Sequence, residues 1–126
     1  MAHPNWSSPP TCSNSRGAEG ERRALAYLVQ RGLVLLERNY RCRFGEIDLV
    51  CKEGGTVVFV EVRARRDGRF GGAAESLTAR KQQRLLAAAR HYLAGKSSQL
   101  PCRFDAVLLS GEDMADIQWM KNAFTE

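Results

Sequence analysis

Four charged residues flank a glycine pair at two-residue spacing: Glu46 and Asp48 before Gly54-Gly55, Glu61 and Arg63 after it. If the two glycines are the central residues of a tight turn, Asp48 opposes Glu61 and Glu46 opposes Arg63. Opposed residues of an antiparallel pair project from one face, so these side chains form a polar square, and Ile47 opposite Val62 with Leu49 opposite Val60 makes an apolar ladder behind it. Two opposed carboxylates have Cβ atoms only about 5 Å apart, which destabilises the pair unless something compensates. The candidates are Arg63, a proton held by a shifted pKa, or a divalent cation. Mg²⁺ accepts one or two carboxylates with waters and substrate phosphate in its remaining positions, and a cationic side chain two residues beyond Glu61 can steady charge on a phosphate under attack. The chemistry that suits this pattern is metal-assisted phosphodiester hydrolysis. The plainer alternative is a hairpin whose wet face carries alternating charges for solubility, and a three-residue loop would shift the register and dissolve the square.

The elements that must hold these residues follow from periodicity. Glu46 to Lys52 and Thr56 to Arg63 are β-rich runs around the glycine turn. Leu33 to Glu37 is an apolar run fit for a buried strand, and Arg38, Asn39, Arg41 and Arg43 make a basic connection to the hairpin. Upstream, Ala18, Leu25, Leu28 and Val29 form a stripe, with Glu19 and Glu21 in a first turn and Gly32 as terminator, which predicts a helix over 18–31. Beyond the hairpin comes a basic loop rich in glycine, and then a second helix capped by Thr78, its inward face Leu85, Ala88, Ala89, Tyr92 and Leu93, ended by Gly95. Arg103 to Leu109 reads as a strand and Asp116 to Met120 as a short extra one. Residues 1–17 hold three of the four prolines and no periodicity, a flexible leader before a single domain over 18–126. The order α-β-β-β-α-β, with a further C-terminal strand, specifies an α/β fold with a mixed sheet flanked by helices.

Composition narrows the partners. Residues 1–110 carry +8 and residues 111–126 carry −3, which leaves the chain at +5. Of the 19 basic residues 15 are arginine, the side chain suited to bidentate phosphate contacts, so a polyanion is favoured over a merely soluble basic surface. Arg65, Arg66 and Arg69 in the loop suit phosphate, as a solvated loop also would explain them; Arg80, Lys81 and Arg84 sit at a helix start whose N–H groups also favour anions. No apolar run approaches the ~20 residues of a membrane span and the first residues have no signal-peptide pattern, so a cytoplasmic protein is expected. Cys12, Cys42, Cys51 and Cys102 with His3 and His91 have neither zinc nor redox spacing. Tyr92 and Trp119 read as core, Asp105 as structural or as a hydrogen-bonding residue near the site, His91 as a helix-surface or half-buried residue and the cysteines as small core residues.

Gly45-Glu46-Ile47-Asp48-Leu49-Val50 followed by Val58-Phe59-Val60-Glu61-Val62-Arg63 closely resembles the YraN-type bacterial family of largely uncharacterised proteins, whose fold is restriction-endonuclease-like. The resemblance runs from Gly17 to Phe124, through Gly20-Glu21 in the first helix, Lys81 with Leu85 and Ala89 in the second, Arg103-Phe104-Asp105, and Asn122-Ala123-Phe124. More distantly the pattern is similar to archaeal Holliday-junction resolvases and other nucleases with a PD-(D/E)XK site. The resemblance implies Asp48 and Glu61 as metal-binding acids and Glu21 as the additional acid near the metal. Arg63 stands where the motif has lysine, and arginine is not a base at neutral pH; Ile47 stands where the generic motif has proline. The expectation is a nuclease that uses Mg²⁺ or Mn²⁺ on DNA, including branched or structured DNA, with Glu21, Asp48, Glu61 and Arg63 catalytic and Arg65, Arg66, Arg80, Lys81 and Arg84 on the nucleic acid. Pairing of two copies into a homodimer stays open. The alternatives are an inactive nucleic-acid-binding module of the same fold and a scaffold that binds a protein at the apolar sheet edge.

Overall fold

The computed structural model describes residues 15–65, 79–96, 100–111 and 113–124. Among the described residues seven elements follow one another: α1 (Ser15–Gln30), β1 (Val34–Cys42), β2 (Gly45–Glu53), β3 (Thr56–Arg65), α2 (Ala79–Ala94), β4 (Cys102–Ser110) and β5 (Asp116–Phe124). The strands form one sheet in sequential order β1-β2-β3-β4-β5. Only β3 and β4 run parallel, and a parallel pair needs a crossover, which here contains α2. The α/β class with a mixed sheet is as expected, and the optional last strand is present. No helix among the described residues is long and apolar enough to cross a membrane.

The sheet does not have one apolar and one charged face. Leu49, Cys51, Val58 and Val60 pack under Ala24 and Leu28 of α1, whereas Val50, Val57 and Phe59 pack under Leu85, Ala88, Ala89 and Tyr92 of α2. Strands buried on both faces read as continuous apolar runs, and Val57 to Val60 is such a run. The expected wet face is therefore covered, and charge gathers at one end of the sheet instead. Ile47 belongs to the α2 cluster and Leu49 to the α1 cluster. Two residues apart, they should share a face, so the pleat of β2 breaks at Asp48.

Other boundaries moved for local reasons. Helix α1 begins at Ser15, so Glu19 lies in its second turn, where it pairs with Arg22 and Arg23, rather than in the first. Residues 1–14 of the expected leader lie outside the described residues, as does the Thr78 cap. The α1 terminus is a Schellman motif: Leu33 N–H donates to Leu28 O and Gly32 N–H to Val29 O. Strand β1 continues through the expected basic connection to Cys42, because β2 pairs with it as far as Cys42↔Gly45 and an edge strand can turn charged side chains to water. Strand β5 extends to Phe124 by pairing with β4. Tyr92 is core and His91 exposed, as expected. Cys51 is buried, and burial pushes its thiol up to about 11.

Candidate active site

The β2–β3 ladder runs from Glu53↔Thr56 to Leu49↔Val60. Gly54 (φ +61) and Gly55 close it as a two-residue turn, so the register deduced from the glycine pair is the register present. At Asp48 the pattern changes: its carboxylate Oδ2 accepts the N–H of Val62 at 2.8 Å. A side chain takes the place of a ladder bond, and the strand ends open into a cleft of about 940 Å³. Glu21 of α1, Asp48, Glu61 and Arg63 of the hairpin, and Arg80, Lys81 and Arg84 in the first turns of α2 all line it.

Glu61 is the most enclosed of the cleft's acids, 5% exposed. Its Oε2 receives Arg63 Nη2 at 2.9 Å and Lys81 Nζ at 3.2 Å. The Asp48 carboxyl is near enough to those of Glu61 and Glu21 to act on both, and the Asn39 side chain acts on Glu21. Burial pushes the Asp48 carboxyl well above the usual carboxylate range, the Glu61 charge pushes it further, and the Val62 N–H only partly opposes them. Burial raises Glu61 against the pull of Arg63, and raises Glu21 against its bonds to Asn39 and Asp48. Burial raises all three carboxyls and each charge acts on its neighbours, so they titrate as one coupled group rather than as independent acids.

The polar square is thus half present. Asp48 and Glu61 meet, and Glu21 joins them from α1. Glu46 does not face Arg63: it is exposed on β2 and pairs with Arg41 of β1 at 3.1 Å, because the ladder that would have opposed it to Arg63 ends at Leu49. Arg63 turns to Glu61 on its own strand. Its Nε is buried without a hydrogen-bond partner, a cost of about 1–3 kcal/mol that an anionic oxygen entering the cleft would remove. Arg80 and Arg84 line the cleft with exposed side chains. The Arg65 backbone is in β3, but its side chain, with Arg66 and Arg69, lies outside what is described. Sequence reasoning placed Lys81 on phosphate and missed its contact with Glu61, and it missed Asn39 altogether. The one local signal for Asn39 is its residue type: asparagine tolerates positive φ, and Asn39 sits at φ +51 within β1.

The donor set suits a hard cation: carboxylate oxygens, crowded, with a desolvation cost that a divalent ion would offset. Among the described residues no group of three or more His, Cys, Asp or Glu side chains is arranged to hold a metal ion, and Glu61 is turned to Arg63 and Lys81. Two carboxylates suffice for Mg²⁺, however, and Asp48 and Glu61 are the two that could supply them.

Asp105 is a buried acid of another kind. It accepts Arg103 Nε at 3.0 Å, Trp119 Nε1 at 2.9 Å and the Asn122 N–H at 3.0 Å, while Arg103 reaches on to Glu53 at 2.5 Å. This network ties β2, β4 and β5 together on residues that do not line the cleft, in keeping with the structural reading of Asp105.

A family model described as uncharacterised protein family UPF0102 matches residues 20–109, a span that includes Glu21, Asn39, Asp48, Glu61, Arg63 and Lys81. Two UPF0102 proteins of Nitrosomonas europaea are 59% and 58% identical over 114 residues, covering 90% of this chain and 97% of each relative. One from Janthinobacterium is 48% identical over 123 residues, 98% of either chain. The YraN-type resemblance is thereby confirmed, and the chain belongs to the uncharacterised protein family UPF0102.

Proposed function

We propose that the chain is a metal-dependent nuclease that hydrolyses phosphodiesters of DNA, with branched or structured DNA as its preferred class. The observation that carries this reading is the meeting at Glu61: a buried carboxylate beside a second acid, Asp48, contacted by an amine from α2 and a guanidinium from its own strand. Asp48 and Glu61 would hold Mg²⁺ or Mn²⁺. Such an ion, when bound, polarises a phosphate oxygen and lowers the pKa of a bound water. Lys81 supplies the amine that the motif otherwise carries at position 63, and it orients the attacking water through its charge and N–H donors. Arg63 steadies charge on the phosphate in the transition state, with its buried Nε as a further donor. Glu21, held by Asn39, positions Asp48. Arg80 and Arg84 bind flanking phosphates at the start of α2.

The test is to incubate purified protein with supercoiled, linear, single-stranded and four-way-junction DNA in Mg²⁺, Mn²⁺ or EDTA, beside Asp48→Asn and Glu61→Gln. Metal-dependent cleavage lost in both variants is the expected result; cleavage that persists in both overturns the site. Salt-sensitive binding without cleavage in any metal favours the inactive nucleic-acid-binding module, a reading that Arg63 at the motif's lysine position supports. A protein-interaction scaffold has its own observation, the exposed Val34 and Leu36 on the edge strand β1, and predicts DNA binding to be absent.

A further inference from the structure

The β1–β2 turn sets a phenylalanine in water. Phe44 is 41% exposed although hairpin turns ordinarily carry polar or flexible residues. Its ring lies 5.7 Å from the exposed His91 ring, tilted at 56°, and the Arg43 guanidinium stands 5.1 Å from its centroid. His91 is itself fixed from behind, Nδ1 in a 2.5 Å hydrogen bond with the Tyr40 hydroxyl. The turn is seated firmly on α2: a Cβ at Gly45 would come within 3.1 Å of the Arg84 carbonyl oxygen. Arg41, Cys42, Gly45 and Glu46 on either side of the turn line the cleft, as does Arg84, and His91 lies two turns, ~10 Å, beyond Arg84 along the helix. An exposed aromatic pair with an arginine therefore stands beside Gly45, one residue beyond the lining of the cleft.

The geometry points to Phe44 and His91 as a stacking platform for one unpaired nucleobase of a DNA strand whose phosphate lies in the cleft. Every base presents a π-face, so such a platform reads single-strandedness rather than sequence. A base within a duplex is stacked on its neighbours and cannot use it. Arg43 either stacks on the far face of the base or turns to the adjacent phosphate. The inference rests on the nuclease reading and deepens it: the substrate class becomes DNA with a single-stranded segment beside the scissile phosphate, such as a flap, gap or junction arm.

The test is fluorescence anisotropy in EDTA, so that nothing is cut, with a labelled single strand, a blunt duplex of the same sequence, and that duplex carrying a single-stranded flap. Phe44→Ala is expected to weaken binding of the single strand and the flap by roughly tenfold, the scale of one lost base stack, and to leave the duplex unchanged. Phe44→Leu keeps an apolar side chain on His91 and should show the same loss with an unchanged unfolding midpoint. Phe44→Trp should retain binding and gain a saturable fluorescence quench with the single strand. Equal loss on all three DNAs, or no loss on any, overturns the platform. Wild type that binds none of them even at low salt overturns the nucleic-acid reading beneath it.

Discussion

Two aspartates do the same local job among opposite kinds of neighbour. Asp48 accepts the Val62 N–H where the β2–β3 ladder stops, and Asp105 accepts the Asn122 N–H where the β4–β5 register shifts. In each case a carboxylate replaces a backbone partner at a strand irregularity. Asp105 is then completed by Arg103 and the Trp119 indole, which donate to its two oxygens. Asp48 faces two further acids, Glu21 and Glu61, and the nearby cations contact Glu61. A fold that can satisfy a buried aspartate at one irregularity and leaves another crowded with like charge, at the wall of a cleft, is storing unfavourable energy where a ligand can release it.

The largest contrast should be in function. Glu61→Gln and Asp48→Asn are each expected to lower the DNA cleavage rate by roughly a thousandfold, whereas Asp105→Asn, assayed below its unfolding transition, should stay within a few fold of wild type. In stability the order reverses. Asp105→Ala strands Arg103, Trp119 Nε1 and the Asn122 N–H, and urea unfolding should show a loss of about 3–5 kcal/mol. Next, Lys81→Met should reduce single-turnover cleavage by about a hundredfold while changing DNA affinity little, because its assigned role is at the reacting phosphate rather than along the backbone.

The smallest effect has a sign that separates the two sites most cleanly. The acids of the cleft have folded-state pKa values raised above their unfolded ones, so their stabilising contribution is fully present below the ordinary carboxylate range and is lost as pH rises through the raised values. Asp48→Asn removes the most raised group and should stabilise the metal-free protein at pH 8 by on the order of 1 kcal/mol, with the gain shrinking toward pH 4. Urea unfolding at the two pH values measures it; a variant less stable than wild type at pH 8 would break the contrast.

Local chemistry made part of this legible in the sequence. Gly54-Gly55 set the hairpin register, and register alone brings Asp48 to Glu61. The same extrapolation failed for Glu46 and Arg63, because a ladder can end wherever a side chain outcompetes a backbone acceptor, and nothing in the spacing announces that Asp48 does so. Lys81 was visible as a cation but not as a partner of Glu61, since that contact depends on where the crossover helix docks. Asn39 lay in a stretch taken for a connection, its strand pairing being dictated by β2. The apolar run Val57–Val60 did signal burial on both faces, and weighing it above the charges of Glu46 to Arg63 would have placed the inward face of the second helix over the hairpin.

The central claim, that the Asp48–Glu61 cluster is incomplete without a cation while the Asp105 network is complete, is tested most directly by titrating Mn²⁺ into the protein by calorimetry at pH 7 in two buffers of different ionisation enthalpy. Saturable binding to wild type with release of protons is expected, lost in both Asp48→Asn and Glu61→Gln and retained in Asp105→Asn. No binding to wild type, or equal binding in the two cleft variants, would contradict it.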